Sequence, residues 1–258
     1  MQKARITIIV AGLLFLPAIS AYTKSLPSAF INKGKLEKDI RDGKSVMFIC
    51  PHPEDEVFIA GTIAFVAGEK ETFFYICCLG SMENLRRENI DVPSRLKAIR
   101  WLTKRYLRDY IFLENNFTAI TPKVINAIKP KLIEAIENNN PAIIITFSHF
   151  GYDGDQNRRL TSKIVTDILP SLGYRPELYF LINTDQELNY KFKEYRKFPS
   201  TDSIDLNSHS KKLGKTLWEA KLEIWDKYSD SVPSIMGVIA RKKRLESNDH
   251  KEYFRLYR

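Results

Sequence analysis

His52, Glu54, Asp55 and Glu56 place one imidazole and three carboxylates within five residues, directly after the apolar run Val46-Met47-Phe48-Ile49-Cys50. A neutral imidazole beside a carboxylate suits zinc, and a catalytic zinc takes three protein ligands plus a water whose pKa falls toward about 7. Pro53 stiffens the turn and restricts the residue before it. Such a turn gives a metal two ligands, His52 and Asp55, and leaves Glu54 to act as a general base. The same acids also suit the first turn of a helix, where negative charge favours the macrodipole.

The elements that must position this cluster follow from the apolar patterning. A buried strand over 45–50 runs into an apolar helix over 56–67, so the acids fall at a strand-to-helix turn. The alternation continues as strand 72–79, helix 94–107, strand 110–113, helix 121–138, strand 142–147, helix 160–170 and strand 176–183. A Lys/Tyr-rich segment and a helix near 211–228 come next. Strands alternating with helices predict a single α/β domain: a Rossmann-like, mostly parallel sheet with helices on both faces. In such a sheet the carboxyl edge of the strands is where ligands bind.

The segment His52-Pro53-Glu54-Asp55-Glu56, followed by Ala60-Gly61-Thr62-Ile63-Ala64, resembles the first motif of the PIG-L/LmbE family of zinc-dependent N-acetylglucosaminyl deacetylases, His-Pro-Asp-Asp-Glu and then Gly-Thr-Ile. The likeness runs from about Lys44 to Tyr228, through the Arg-bearing helix near Ser94-Arg95, the strand Tyr110-Ile111-Phe112-Leu113 and the strand Ile143 to Phe147. It implies that His52 and Asp55 are metal ligands, that Glu54 is the base where the family has Asp, and that Arg95 contacts substrate. It also implies a zinc cofactor and an N-acetylated amino sugar, glycolipid or polysaccharide as substrate, from which acetate is released.

The family's second motif, Gly-His-x-Asp/Asn-His, aligns with Gly154-Asp155-Gln156-Asn157-Arg158. Asp155 therefore stands where the family has the His that stabilises the tetrahedral intermediate, and Arg158 where it has the third zinc ligand. Arginine stays protonated and cannot ligate zinc. Of the four histidines, His149 follows the same strand end and is the expected third ligand, with Asp153 and Asp155 as carboxylate alternatives. His209 and His250 fall in polar or charged stretches and are read as solvated. The alternative is a family member that has lost its metal and binds glycan or a partner without catalysis.

Length and composition support one core: 258 residues with 44% apolar and 12% aromatic side chains. Lys3 and Arg5 precede an apolar run from Ile6 to Ile19 and the small residues Ser20 and Ala21, the pattern of a signal peptide over 1–21. The expected organisation is that leader, a deacetylase-like domain over 44–230 and a basic tail over 231–258, in an exported protein. Cys50, Cys77 and Cys78 fall in buried strands, and adjacent strand positions put Cys77 and Cys78 on opposite faces. The formal charge of +9 is spread rather than striped, which argues against nucleic acid and suits an enzyme meeting anionic glycans or a membrane surface.

Overall fold

The computed structural model describes residues 34–80, 91–115, 121–182, 200–229 and 250–257. The proposed leader, Lys191 to Lys197 of the Lys/Tyr-rich segment and most of the proposed tail lie outside them.

Five apolar segments form the parallel part of the sheet: β1 (Val46–Cys50), β2 (Phe74–Gly80), β3 (Asp109–Asn115), β4 (Ile143–Phe147) and β5 (Glu177–Ile182). Every residue of β1 and β4 is buried, as expected of strands covered on both faces. Three helices, α2 (Ala60–Gly68), α3 (Val92–Tyr106) and α6 (Leu217–Ser229), pack on one face against Phe48, Cys50, Ile145, Phe147 and Cys78. They share that face with α1 (Lys35–Arg41). On the other face α4 (Pro122–Asn139) and α5 (Gln156–Ile168) pack on Met47, Ile49, Cys77, Ile144 and Phe180. Cys77 and Cys78 thus serve opposite cores, and all three cysteines are free and buried. Each fully buried Leu, Ile or Phe contributes about 1.5–3 kcal/mol.

Strand order is β3-β2-β1-β4-β5-β9-β6, where β6 is Asp202–Asp205 and β9 is Lys251–Leu256. The order reverses between β1 and β4, so the topological switch point, where open α/β sheets bind ligands, lies at the carboxyl ends of these two strands. The loops after them begin at Pro51 and Ser148.

Several elements depart from the sequence expectation. Residues 251–256, assigned to a basic tail, form β9, paired antiparallel with both β5 and β6. Phe254 and Glu252 turn inward while their neighbours are more exposed. Glu252 is 3% exposed. Its carboxylate accepts from the N–H groups of Gly61 and Thr62 at 2.9 and 2.8 Å and from Lys221 Nζ at 2.6 Å. The strand is thereby fastened to the start of α2 and to α6. The helix expected over 160–170 starts at Gln156, because Asp155 caps it. The helix expected from 211 starts at Leu217, after a short hairpin of β7 (His209–Ser210) and β8 (Lys215–Thr216). His250 stacks on Trp218 with ring centroids 4.1 Å apart, where the sequence suggested a solvated residue.

Candidate active site

The turn after β1 is tight and internally bonded. Asp55 N–H donates to His52 O at 3.2 Å, and His52 N–H donates to Asp55 Oδ2 at 3.1 Å. A 3-10 turn (Asp55–Ile59) then leads into α2, which fixes Asp55 and Glu56 beneath the surface, both with no exposure. Thr146 Oγ1 donates to Ile49 O at 2.9 Å, tying the end of β4 to β1.

The loop after β4 carries more strain. Gly151 has φ +76°, and a Cβ there would come within 2.8 Å of Arg159 Cγ. Tyr152 has φ 66° and ψ −50°, a rarely populated and costly region for a residue with a side chain. Its ring contacts Phe58 and Phe147 at centroid distances of 4.8 and 6.1 Å. The loop ends at Asp155, whose Oδ1 accepts from Arg158 N–H at 2.8 Å. The residue placed at the family's intermediate-stabilising position is thus the N-cap of α5.

This cap aims the first turn of α5 at the His52 turn. Arg158 is 8% exposed, and its Nε and Nη2 both donate to Asp55 Oδ1, at 3.0 and 2.7 Å. Its guanidinium carbon also lies 4.7 Å from the ring centre of Phe58 and 5.1 Å from that of Phe147, within cation–π range. Asn157 Nδ2 donates to His52 Nε2 at 3.3 Å. The cation and the amide of one helical turn therefore meet the two groups expected to hold metal.

His149 lies elsewhere. Its Nδ1 bonds Ser162 Oγ at 3.1 Å, and its ring packs on Phe180 with centroids 4.6 Å apart. Burial, then the charge of Arg255, hold its pKa below the ordinary value. The side chain of Asp153, the other alternative, lies outside those described. Among the described residues no three His, Cys, Asp or Glu side chains converge on one point. The described residues do not make the three-ligand zinc site that the sequence resemblance implies. Two ligand candidates, His52 and Asp55, adjoin each other, but both oxygens of Asp55 and Nε2 of His52 are engaged by protein donors.

The opposite wall is Glu56. Tyr228 Oη donates to its Oε1, and Tyr110 Oη lies 3.3 and 3.4 Å from its two oxygens. Burial raises the Glu56 pKa to about 7; the Tyr228 hydrogen bond and the Arg95 charge oppose the rise, and the Glu54 charge adds to it. Arg95 is 1% exposed and lies 4.9 Å from the Tyr228 ring centre. Among the described residues its Nε and Nη1, both buried, have no hydrogen-bond partner, a cost of about 1–3 kcal/mol for a buried group left unmet. Sequence reasoning named Arg95, His52, Glu54 and Asp55, but gave no role to Glu56, Tyr110, Tyr228 or Asn157. Tyr110 and Tyr228 lie in elements that the resemblance covers, yet only the folded chain brings them to one carboxylate.

With this geometry established, residues 47–169 match the family model described as PIG-L, GlcNAc-PI de-N-acetylase. Over these residues the chain resembles the PIG-L family. The match spans β1 to the end of α5 and so contains both loops of the site. Among solved structures the chain is similar to the N,N'-diacetylchitobiose deacetylase of Pyrococcus horikoshii, at 14% identity and a TM-score of 0.59, covering 93% of this chain and 92% of that one. A triple mutant of a deacetylase from the teicoplanin biosynthetic pathway matches at 11% identity and TM-score 0.56, over 83% and 98% of the two chains. GalB, the 4-carboxy-2-hydroxymuconate hydratase of Pseudomonas putida, matches at 14% identity and TM-score 0.52, over 83% and 96%. At these identities the likeness shows the PIG-L-type fold, and the hydratase shows that this fold does not by itself choose the reaction. No curated protein sequence matches the chain significantly.

Proposed function

We propose that this PIG-L domain is an amide hydrolase acting on an N-acetylated amino sugar or its glycoconjugate. The observation that supports the reading is the His52–Glu56 turn inside the family match, at the switch point between β1 and β4. In the proposed reaction Glu54 takes a proton from water as the water oxygen attacks the acetamide carbonyl carbon. The C–N bond then breaks, Glu54 returns the proton to the leaving nitrogen, and acetate and a free amine result. The positive charge facing the developing oxyanion would come from Arg158, the cation at the centre of the site, since preorganised charge is the largest aid to such a step. Arg95, with two buried N–H groups lacking acceptors among the described residues, is the proposed contact to sugar oxygens or to an anionic aglycone. An exported location and a glycolipid or polysaccharide substrate remain part of this proposal, and its formal charge of +9 would favour encounter with an anionic surface.

The Arg158–Asp55 pair favours a second reading, in which the site binds the sugar without turning it over. Acetate release from an N-acetylglucosaminyl lipid and from chitobiose, with wild type and Glu54→Gln, separates the two. Release lost in Glu54→Gln supports hydrolysis. Equal binding by both proteins with no acetate from either supports binding alone, and removes Glu54 from any chemical role.

A further inference from the structure

We propose that Arg158 occupies the place of a divalent metal, so that the site works around a cation carried by the chain and takes up no zinc. The inference builds on the PIG-L reading of the site, but its test does not depend on hydrolysis. A metal at this turn would need lone pairs from Asp55 and His52. Asp55 Oδ1 accepts two N–H groups of Arg158 at 3.0 and 2.7 Å, and its Oδ2 accepts His52 N–H at 3.1 Å. His52 Nε2 accepts from Asn157 Nδ2 at 3.3 Å. With two N–H groups of Arg158 already on Asp55 Oδ1, a divalent ion at that oxygen would be repelled by the guanidinium in a medium that screens them poorly.

Arg158 is also held by more than its ion pair. Phe58 and Phe147 flank its guanidinium at 4.7 and 5.1 Å, and Asp155 caps its own N–H at 2.8 Å. Swinging the side chain out to admit a metal would break the two-N–H hydrogen bonding to Asp55 and strip both aromatic contacts, leaving Asp55 to the incoming ion. The structure thus supplies a fixed monovalent cation where a metal would supply two charges and a bound water. Any hydrolysis here would consequently be indifferent to chelators.

The test is zinc content by elemental analysis after incubation with excess zinc and desalting, on wild type, His52→Ala, Arg158→His and Arg158→Gln. Wild type is expected to hold no more zinc than His52→Ala. Arg158→His, which removes the blocking cation and adds an imidazole on the same turn, is expected to gain about one zinc per chain. Adding His52→Ala to that variant should abolish the gain. Circular dichroism checks that each variant is folded, and Arg158→Gln provides a second cation-free variant if Arg158→His fails to fold. Wild-type zinc that disappears in His52→Ala overturns the proposal. So does failure of both folded Arg158 variants to bind more zinc than wild type, since something other than Arg158 would then exclude the metal. Acetate release is scored separately: absence of turnover with a zinc-free wild type removes the hydrolase reading and leaves the assignment of Arg158 standing.

Discussion

If Arg158 and Asp55 form a buried ion pair, their contributions to stability must be strongly coupled. Asp55 has no exposed side-chain surface and Arg158 retains only 10%, so solvent does little to screen the pair. Removing one partner of such a pair leaves an uncompensated charge and costs about 3–5 kcal/mol. Asp55→Asn keeps the shape of the side chain but removes the charge that Arg158 Nε and Nη2 meet. Arg158→Met keeps much of the apolar volume between Phe58 and Phe147 but leaves Asp55 with only the His52 N–H. In the double variant both members of the pair are gone, so it should lose no more than about the larger single loss. A coupling energy at least as large as the smaller single loss, about 3 kcal/mol or more, follows, at the top of the range for residues in contact. Urea unfolding of the four proteins measures it directly. Because the pair is buried, the coupling should also survive 1 M sodium chloride, a condition that reduces the Debye length to about 3 Å and suppresses exposed pairs. Single losses that add to within about 0.5 kcal/mol would refute the reasoning, since they would mean that the two charges do not meet in solution.

Glu56 should make stability fall as pH rises. Its folded pKa of about 7 exceeds the ordinary 4.5, so the native state binds the proton more tightly; the group's favourable contribution is full below about pH 4.5 and is lost by about pH 7. The difference corresponds to about 3 kcal/mol, and Glu56→Gln should flatten the urea midpoint between pH 5 and 7, an expectation that fails if both proteins show the same slope. Glu252→Ala should destabilise by about 3–5 kcal/mol, because Lys221 is buried beside it at 2.6 Å and would be stranded; Lys221→Met in the same chain should recover part of the loss in thermal unfolding. Gly61→Ala should cost about 1–3 kcal/mol by overpacking, since its Cβ would lie 2.2 Å from Leu206 Cδ2 and 2.9 Å from Glu252 Oε1; a melting temperature equal to wild type would show that Leu206 and β9 do not press on α2 in this way.

The parallel core was legible because strands buried on both faces write themselves as unbroken apolar runs, as in Val46–Cys50 and Ile143–Phe147. Strand β9 was not, for a physical reason. Its inward positions include Glu252, a charge neutralised by Lys221 from α6 and by two backbone N–H groups of α2, and a charged residue in the pattern reads as solvent-facing. The site divides in the same way. The candidate chemistry of the His52 turn can be read from five consecutive residues, and the resemblance puts Arg158 where the family has a ligand. What the linear chain could not display is where that arginine goes. Asp55 is 103 positions earlier, and the contact is made only because β1 and β4 are neighbours, the strained Gly151–Tyr152 turn reverses the chain, and Asp155 caps α5 at the right point. A lost ligand alone would leave a buried aspartate short of a partner. An arginine at that position carries a permanent positive charge to the same aspartate and keeps the turn neutralised, so that, on the proposed reading, the lack of a third metal ligand among the described residues and the burial of Asp55 are parts of one arrangement.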